Sequence, residues 1–249
     1  MNRLHPSCAI LAALVIVANA CDRPAADLNA PGIPDAVSNA KSITASKSIH
    51  ENFNLNVKAP SVLEATGTAP SFVNGAVTFD AYSRGYLRTI DGDFNTVSFT
   101  ADVTVTVVSP LHGNGDGITF FGIGDGAPSG FYGEPNTNAA VYARLMPSDF
   151  YGPNVEFTTS IGGGTSATYA PGQAGDGTHK VRISWNKLTS EVTISIDSNW
   201  VPGTEFTADA TSGPISAAGL FDGTNAHIFF GGAGSATFDD LHVVVSPEK

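Results

Sequence analysis

Apolar and polar residues alternate one by one over long parts of the chain. In residues 97–108, Phe99, Ala101, Val103, Val105 and Val107 fall on one side, and Thr100, Asp102, Thr104 and Thr106 on the other. A period of two held over that length is poor for a helix and marks a strand with one buried face. Residues 179–185 and 191–197 repeat the pattern. Val181, Ile183 and Trp185 share one face, as do Val192, Ile194 and Ile196. Residues 186–190 connect the two runs, which predicts a hairpin of well-specified register with Trp185 in the core. Residues 118–123 differ. Ile118-Thr119-Phe120-Phe121-Gly122-Ile123 is almost continuously apolar, which predicts an inner strand covered on both sides.

Shorter runs predict further strands at 53–57, 76–81, 86–90, 139–145, 155–161, 217–221, 226–230 and 236–245. Turn signals separate them, among them Asn74-Gly75, Asp91-Gly92-Asp93 and Gly162-Gly163-Gly164. No segment after residue 48 reads as a long amphipathic helix. The expected fold class is all-β, with two antiparallel sheets packed as a sandwich.

The N-terminal residues read differently. Arg3 precedes an apolar run at 8–17 that is too short to span a bilayer, and Ala18-Asn19-Ala20 fits cleavage by a signal peptidase. Residues 1–20 are therefore expected to be an export signal. The chain has two cysteines, Cys8 and Cys21. Removal of the signal would leave Cys21 alone and first, so no intrachain disulfide is expected. This arrangement resembles a bacterial lipoprotein, although Ala18 stands where a larger aliphatic residue is usual. The resemblance implies an acylated Cys21 and a lipid anchor in the cell envelope, on the periplasmic or outer surface. Plain secretion is the alternative. Residues 21–48 carry Pro24, Pro31, Gly32 and Pro34 and read as a flexible linker. Residues 49–247 read as a single folded domain.

Composition narrows the partners. Of 249 residues, 42% are hydrophobic and only 14% charged, enough apolar residues for a sizeable core. The net charge of −11 argues against a nucleic-acid partner, because no basic patch offsets repulsion from phosphate. Neutral sugar is compatible with this balance.

Several residues carry candidate chemistry. Asp116, in Gly115-Asp116-Gly117, puts a carboxylate in a turn at the start of the apolar strand. It could meet a ligand or simply cap the turn. Phe131-Tyr132-Gly133 and Phe150-Tyr151-Gly152 place aromatic rings in loops. Such rings stack on the C–H face of a pyranose, or else close the end of a sandwich. Trp200 precedes Val201-Pro202-Gly203 and is the better exposed tryptophan. Asp91 with Asp93, or Asp125 with Asn136, offer hard oxygen atoms to calcium, with solvated turns as the alternative. Six histidines show no metal spacing, and neither a nucleophile elbow nor a phosphate loop is present. Glu191 and Asp197 share a strand face but lie too far apart for a retaining glycosidase pair.

The order of these elements resembles the legume-type (L-type) lectin and concanavalin A-like lectin-glucanase jelly-roll family. The resemblance rests on the long strand at 97–108, then Gly115-Asp116-Gly117-Ile118-Thr119-Phe120-Phe121, then Gly130-Phe131-Tyr132-Gly133, then the valine-rich hairpin. It implies that Asp116 hydrogen-bonds sugar hydroxyls and that Gly130 or Gly133 offers a backbone N–H. The family's metal strand carries Val-Glu-Phe-Asp. This chain has Val141-Tyr142-Ala143-Arg144-Leu145 there, and Val155-Glu156-Phe157-Thr158 lacks the Asp and falls later. The Glu-x-Asp-x-x-Glu run of related glucanases is absent. The expectation is an exported carbohydrate-binding protein without catalytic activity. No cofactor is expected, calcium being the one candidate. The alternatives are a polysaccharide hydrolase or lyase using Glu156 or Glu191, and a surface adhesion module that binds protein.

Overall fold

The computed structural model describes residues 47–54, 59–79, 84–108, 118–129, 134–135, 139–146, 154–161, 164–171, 175–221, 225–233 and 236–247. The expected signal, Cys21 and nearly all of the linker precede residue 47 and lie outside the described residues.

In chain order the strands are β1 (Ile49–Glu51), β2 (Leu63–Gly67), β3 (Ser71–Val73), β4 (Ala76–Phe79), β5 (Gly85–Thr89), β6 (Phe99–Val107), β7 (Ile118–Gly124), β8 (Pro128–Ser129), β9 (Glu134–Pro135), β10 (Ala139–Met146), β11 (Asn154–Ile161), β12 (Gly164–Pro171), β13 (Gly177–Asn186), β14 (Glu191–Asp197), β15 (Ala210–Ser216), β16 (His227–Ala233) and β17 (Ala236–Val245). One sheet has the order β15-β14-β13-β6-β17-β4-β3, with β1 joined to β17, and the other the order β12-β11-β10-β7-β16-β5-β2. Every pairing within these two sheets is antiparallel. This is the expected all-β sandwich.

The alternating strands lie where their pattern put them. Val181 faces Ile196, Ile183 faces Ile194 and Trp185 faces Val192 across the β13–β14 hairpin. All six are buried. Between the sheets, Phe230 packs edge-on or tilted against Phe53, Phe79 and Phe238, with ring centroids 4.9–6.5 Å apart. Offset and edge-on ring pairs of this kind add to the burial energy.

β7 is buried along its whole length. Phe121 and Ile123 enter the core between the sheets. Phe120 points the other way, into a second cluster with Tyr86, Tyr142 and Phe229 on the opposite face. Gly122 makes room for that cluster. A Cβ there would lie 2.6 Å from Phe229 Cζ and from Tyr142 Cβ, closer than any side chain tolerates.

One expected strand takes another form, and of a second, at 53–57, only residues 53–54 are described. Phe53 is buried but has a left-handed backbone (φ 55°), so the chain turns there instead of extending. Residues 217–221 form a turn closed by Leu220 N–H donating to the Ala217 carbonyl at 3.0 Å. Seven strands are not predicted by the pattern: β1, β8, β9, and β2, β3, β12 and β15, of which the last four end the strand orders of the two sheets.

Candidate functional site

Strand register assigns each strand end to one of two poles. β7 starts at Ile118, two residues after Asp116. Thr119 pairs with Leu145 near the end of β10, and Met146 pairs with Asn154 at the start of β11. The start of β7, the end of β10 and the start of β11 therefore lie at the same pole of the seven-stranded sheet. Gly124 pairs with Ala140 at the other pole. The connection between them begins there, and within it β8 pairs with β9 as Ser129 with Glu134. Gly130, Tyr132 and Gly133 fall between β8 and β9 in the sequence. Asp116, Gly130, Tyr132, Gly133 and Tyr151 themselves lie outside the described residues.

Trp200 is described, and it is half-buried. Its Nε1–H donates to the Thr204 carbonyl at 3.3 Å, and Lys180 Nζ lies 4.7 Å from its ring centroid. Lys180 points away from Val181, so Trp200 lies against the outward face of the eight-stranded sheet and not on the seven-stranded one. Next to it, Arg182 stacks on Phe206 at 4.2 Å and grips Asp102 through two bonds of 2.6 and 2.7 Å. That hydrogen bond with Asp102 raises the pKa of Arg182, against the effect of burial. Lys180 also reaches Asp240 at 3.1 Å. Asp240 sits at a bulge of β17 with φ 51°, a left-handed backbone that Asp tolerates better than most residues. Burial pushes its carboxyl up, but bonds and charge from Lys180 and His50 outweigh that and leave it below the usual range. Burial holds neighbouring Asp239 above it.

The acidic turns have structural partners. Asp93 accepts from Lys47 Nζ at 2.6 Å, and Lys47 is itself buried, bonded also to Thr96 and lying 5.7 Å from the Phe94 ring centroid. Asp125 pairs with Arg88 at 3.2 Å. β10 carries Tyr142 and Arg144 and no carboxylate. Among the described residues no group of three His, Cys, Asp or Glu could hold a metal ion. The described donors therefore do not fit a calcium cage, because two of the candidate carboxylates already neutralise fixed cations.

Glu191 lines an open groove of about 350 Å³ with Thr100, Ser184, Thr193 and Ser246. It is the one acid among the described residues lining that groove. Asp197, the other acid of that strand, is buried and accepts from Thr207 N–H at 2.9 Å.

No protein-family model and no curated protein sequence matches the chain. Solved structures do resemble it. Peanut lectin in complex with a 9-residue peptide aligns with a TM-score of 0.58 and 13% identity, over 81% of this chain and all of that one. Basic winged bean lectin with Tn-antigen aligns with a TM-score of 0.57 and 15% identity, over 82% of this chain and all of that one. The exoplasmic/lumenal domain of VIP36, in a Ca2+/Man2-bound form, gives 0.57 and 13%, over 82% of this chain and 90% of that one. The fold is that of the L-type lectin sandwich. VIP36 is similar in its metal-free form as well, with a TM-score of 0.57 and 12% identity over 80% of this chain and 92% of that one.

Proposed function

We propose that this chain is an exported, lipid-anchored lectin-like protein that binds neutral carbohydrate without transforming it. The observation that carries the reading is the position of β7. It is the middle strand of the seven-stranded sheet of an L-type lectin fold, and it begins directly after Asp116-Gly117. A carboxylate at that strand end accepts hydrogen bonds from sugar hydroxyls, which suits a neutral ligand better than an anionic one in a chain of net charge −11. Tyr151 is the aromatic residue assigned to stacking, on its sequence context alone. Tyr132, Gly130 and Gly133 are further ligand candidates, nominated by the family resemblance of the sequence alone.

A glycan array with the purified chain, run with and without calcium, tests the proposal. Binding to a set of neutral glycans, lost in Asp116→Ala, is the expected result. Absence of all glycan binding overturns it. Mass spectrometry of the mature N-terminus tests the anchor, which requires acyl glycerol on Cys21.

A further inference from the structure

We infer that His179 is a proton-operated clasp. With both ring nitrogens protonated it ties the segment entering β13 to the segment leaving β14, and with one proton it lets the first of them go. The inference is independent of the carbohydrate reading above.

His179 sits near the start of β13, on the buried face that also carries Val181, Ile183 and Trp185. It is 2% exposed, so its ring nitrogens find their partners within the protein. Nδ1 lies 2.7 Å from the carbonyl oxygen of Ser198, the first residue past β14. Nε2 lies 2.7 Å from the carbonyl oxygen of Gly175, two residues before β13. A carbonyl oxygen accepts and never donates, and a neutral imidazole has a single N–H. A neutral ring would therefore set a nitrogen lone pair against an oxygen lone pair at hydrogen-bond distance. Only the imidazolium, a donor at both nitrogens, satisfies both contacts.

The two ends are held unequally. Ser198 N–H and Oγ–H both donate to Asp209 Oδ2, and next to it Asp197 Oδ2 accepts from Thr207 N–H at 2.9 Å. Further along the same connection Trp200 and Phe206 stack on Lys180 and Arg182. Ser198 thus belongs to a stretch fastened to the sheet at several points. Around Gly175 and Gly177 packing adds little, since a Cβ at either would meet nothing within 4 Å. When the ring gives up a proton, Nδ1–H stays on the fastened carbonyl and the Gly175 carbonyl moves off the bare Nε2.

The charged neighbours are Asp176 beside Gly175, Asp197 and Asp209 around Ser198, and Lys180, Arg182 and Asp102 on the outward faces of β13 and β6. β6 sets Val105 opposite His179, and the core cluster between the sheets is apolar. Two other histidines belong to this sheet. His50 and His242 lie 5.0 Å apart by ring centroids, and His50 meets Asp240, the partner of Lys180. Histidine is the side chain that ordinarily changes charge between about pH 5 and 8, so a test has to tell His179 from this pair.

Nitrogen-15 NMR of the full chain does so. The His179 ring is expected to carry two protons at about pH 5 and one, on Nδ1, at about pH 8. In the same samples the heteronuclear NOE of the Gly175, Asp176 and Gly177 amides should fall by at least half, while that of Ser198 holds. His179→Gln cannot donate at both positions and should give low values over 175–177 at either pH. His50→Gln and His242→Gln should keep the wild-type step. An unchanged count of ring protons across this range overturns the inference, as do amides of 175–177 that are equally rigid at both pH values. A step that survives in His179→Gln, or that His50→Gln or His242→Gln abolishes, overturns it too. The ring spectrum is read on the wild-type chain, so it decides the matter even where a variant fails to fold.

Discussion

The two sheets share a period of two and meet very different surroundings. On β6, the residues pointing away from the core are Thr100, Asp102, Thr104 and Thr106, and Asp102 answers Arg182 on the next strand. On β7, the corresponding positions are Ile118, Phe120 and Gly122, and they lie buried against Tyr142 and Phe229. The eight-stranded sheet has one dry face and one polar face. Around β7 the seven-stranded sheet has two dry faces, so the lectin sandwich here carries a second apolar layer.

Adjacent phenylalanines of β16 offer the sharpest way to break that comparison. Phe230 points into the core between the sheets and Phe229 into the second cluster, and both are fully buried. Each change to alanine is expected to cost about 3–5 kcal/mol in denaturant unfolding. A loss below about 1 kcal/mol for Phe229→Ala would show that the outer cluster is no true core.

On the polar face the effects are smaller. Asp102→Asn removes the charge that Arg182 grips but leaves an acceptor oxygen, and it is expected to cost about 1 kcal/mol. That loss should shrink in 1 M salt, because Arg182 is partly exposed and its pairing is screened.

The smallest effect is a pH dependence of opposite sign at two neighbours. Asp240 titrates lower in the fold than in the unfolded chain, so its contribution is present above the ordinary carboxylate range and is lost as pH falls through its lowered value. Asp239 titrates higher in the fold, so its contribution is present below the ordinary range and is lost as pH rises through its raised value. At neutral pH, Asp240→Asn should lower stability and Asp239→Asn should raise it, each by under about 1 kcal/mol given solvent screening. Asparagine tolerates the left-handed backbone at 240, so the comparison is one of charge. Both differences should vanish in acid, where the wild-type carboxyls are protonated. Unfolding curves at several pH values check this.

The central strands were legible because burial wrote itself into their residues. Val103, Val105, Val181, Ile183, Phe238 and Val243 alternate because one side of each strand meets the other sheet. The outermost strands were not. β12 reads Gly-Thr-Ser-Ala-Thr-Tyr-Ala-Pro, and β15 contains Gly213 and Pro214. Such residues have weak intrinsic β preference, and they extend because a stronger strand pairs with them on one side. β2 and β3 are short for the same reason. Of the candidate site, the strand that follows Asp116 was legible in the sequence, while the aromatic segments that the sequence nominated lie outside the described residues. Arg88 escaped notice, since nothing local ties it to Asp125, 37 residues away. Only the pairing of β5 with β16, and β16 with β7, brings them together.

The buried ammonium of Lys47 has one more consequence. It is bonded to Asp93 and Thr96 in the connection from β5 to β6, at the pole from which β6 starts and β7 ends. β7 starts at the far pole. Whatever holds the chain by its N-terminal side therefore grips the sandwich by its heel. Lys47 fixes that entry point by a charge pair inside the β5–β6 connection and not by strand pairing.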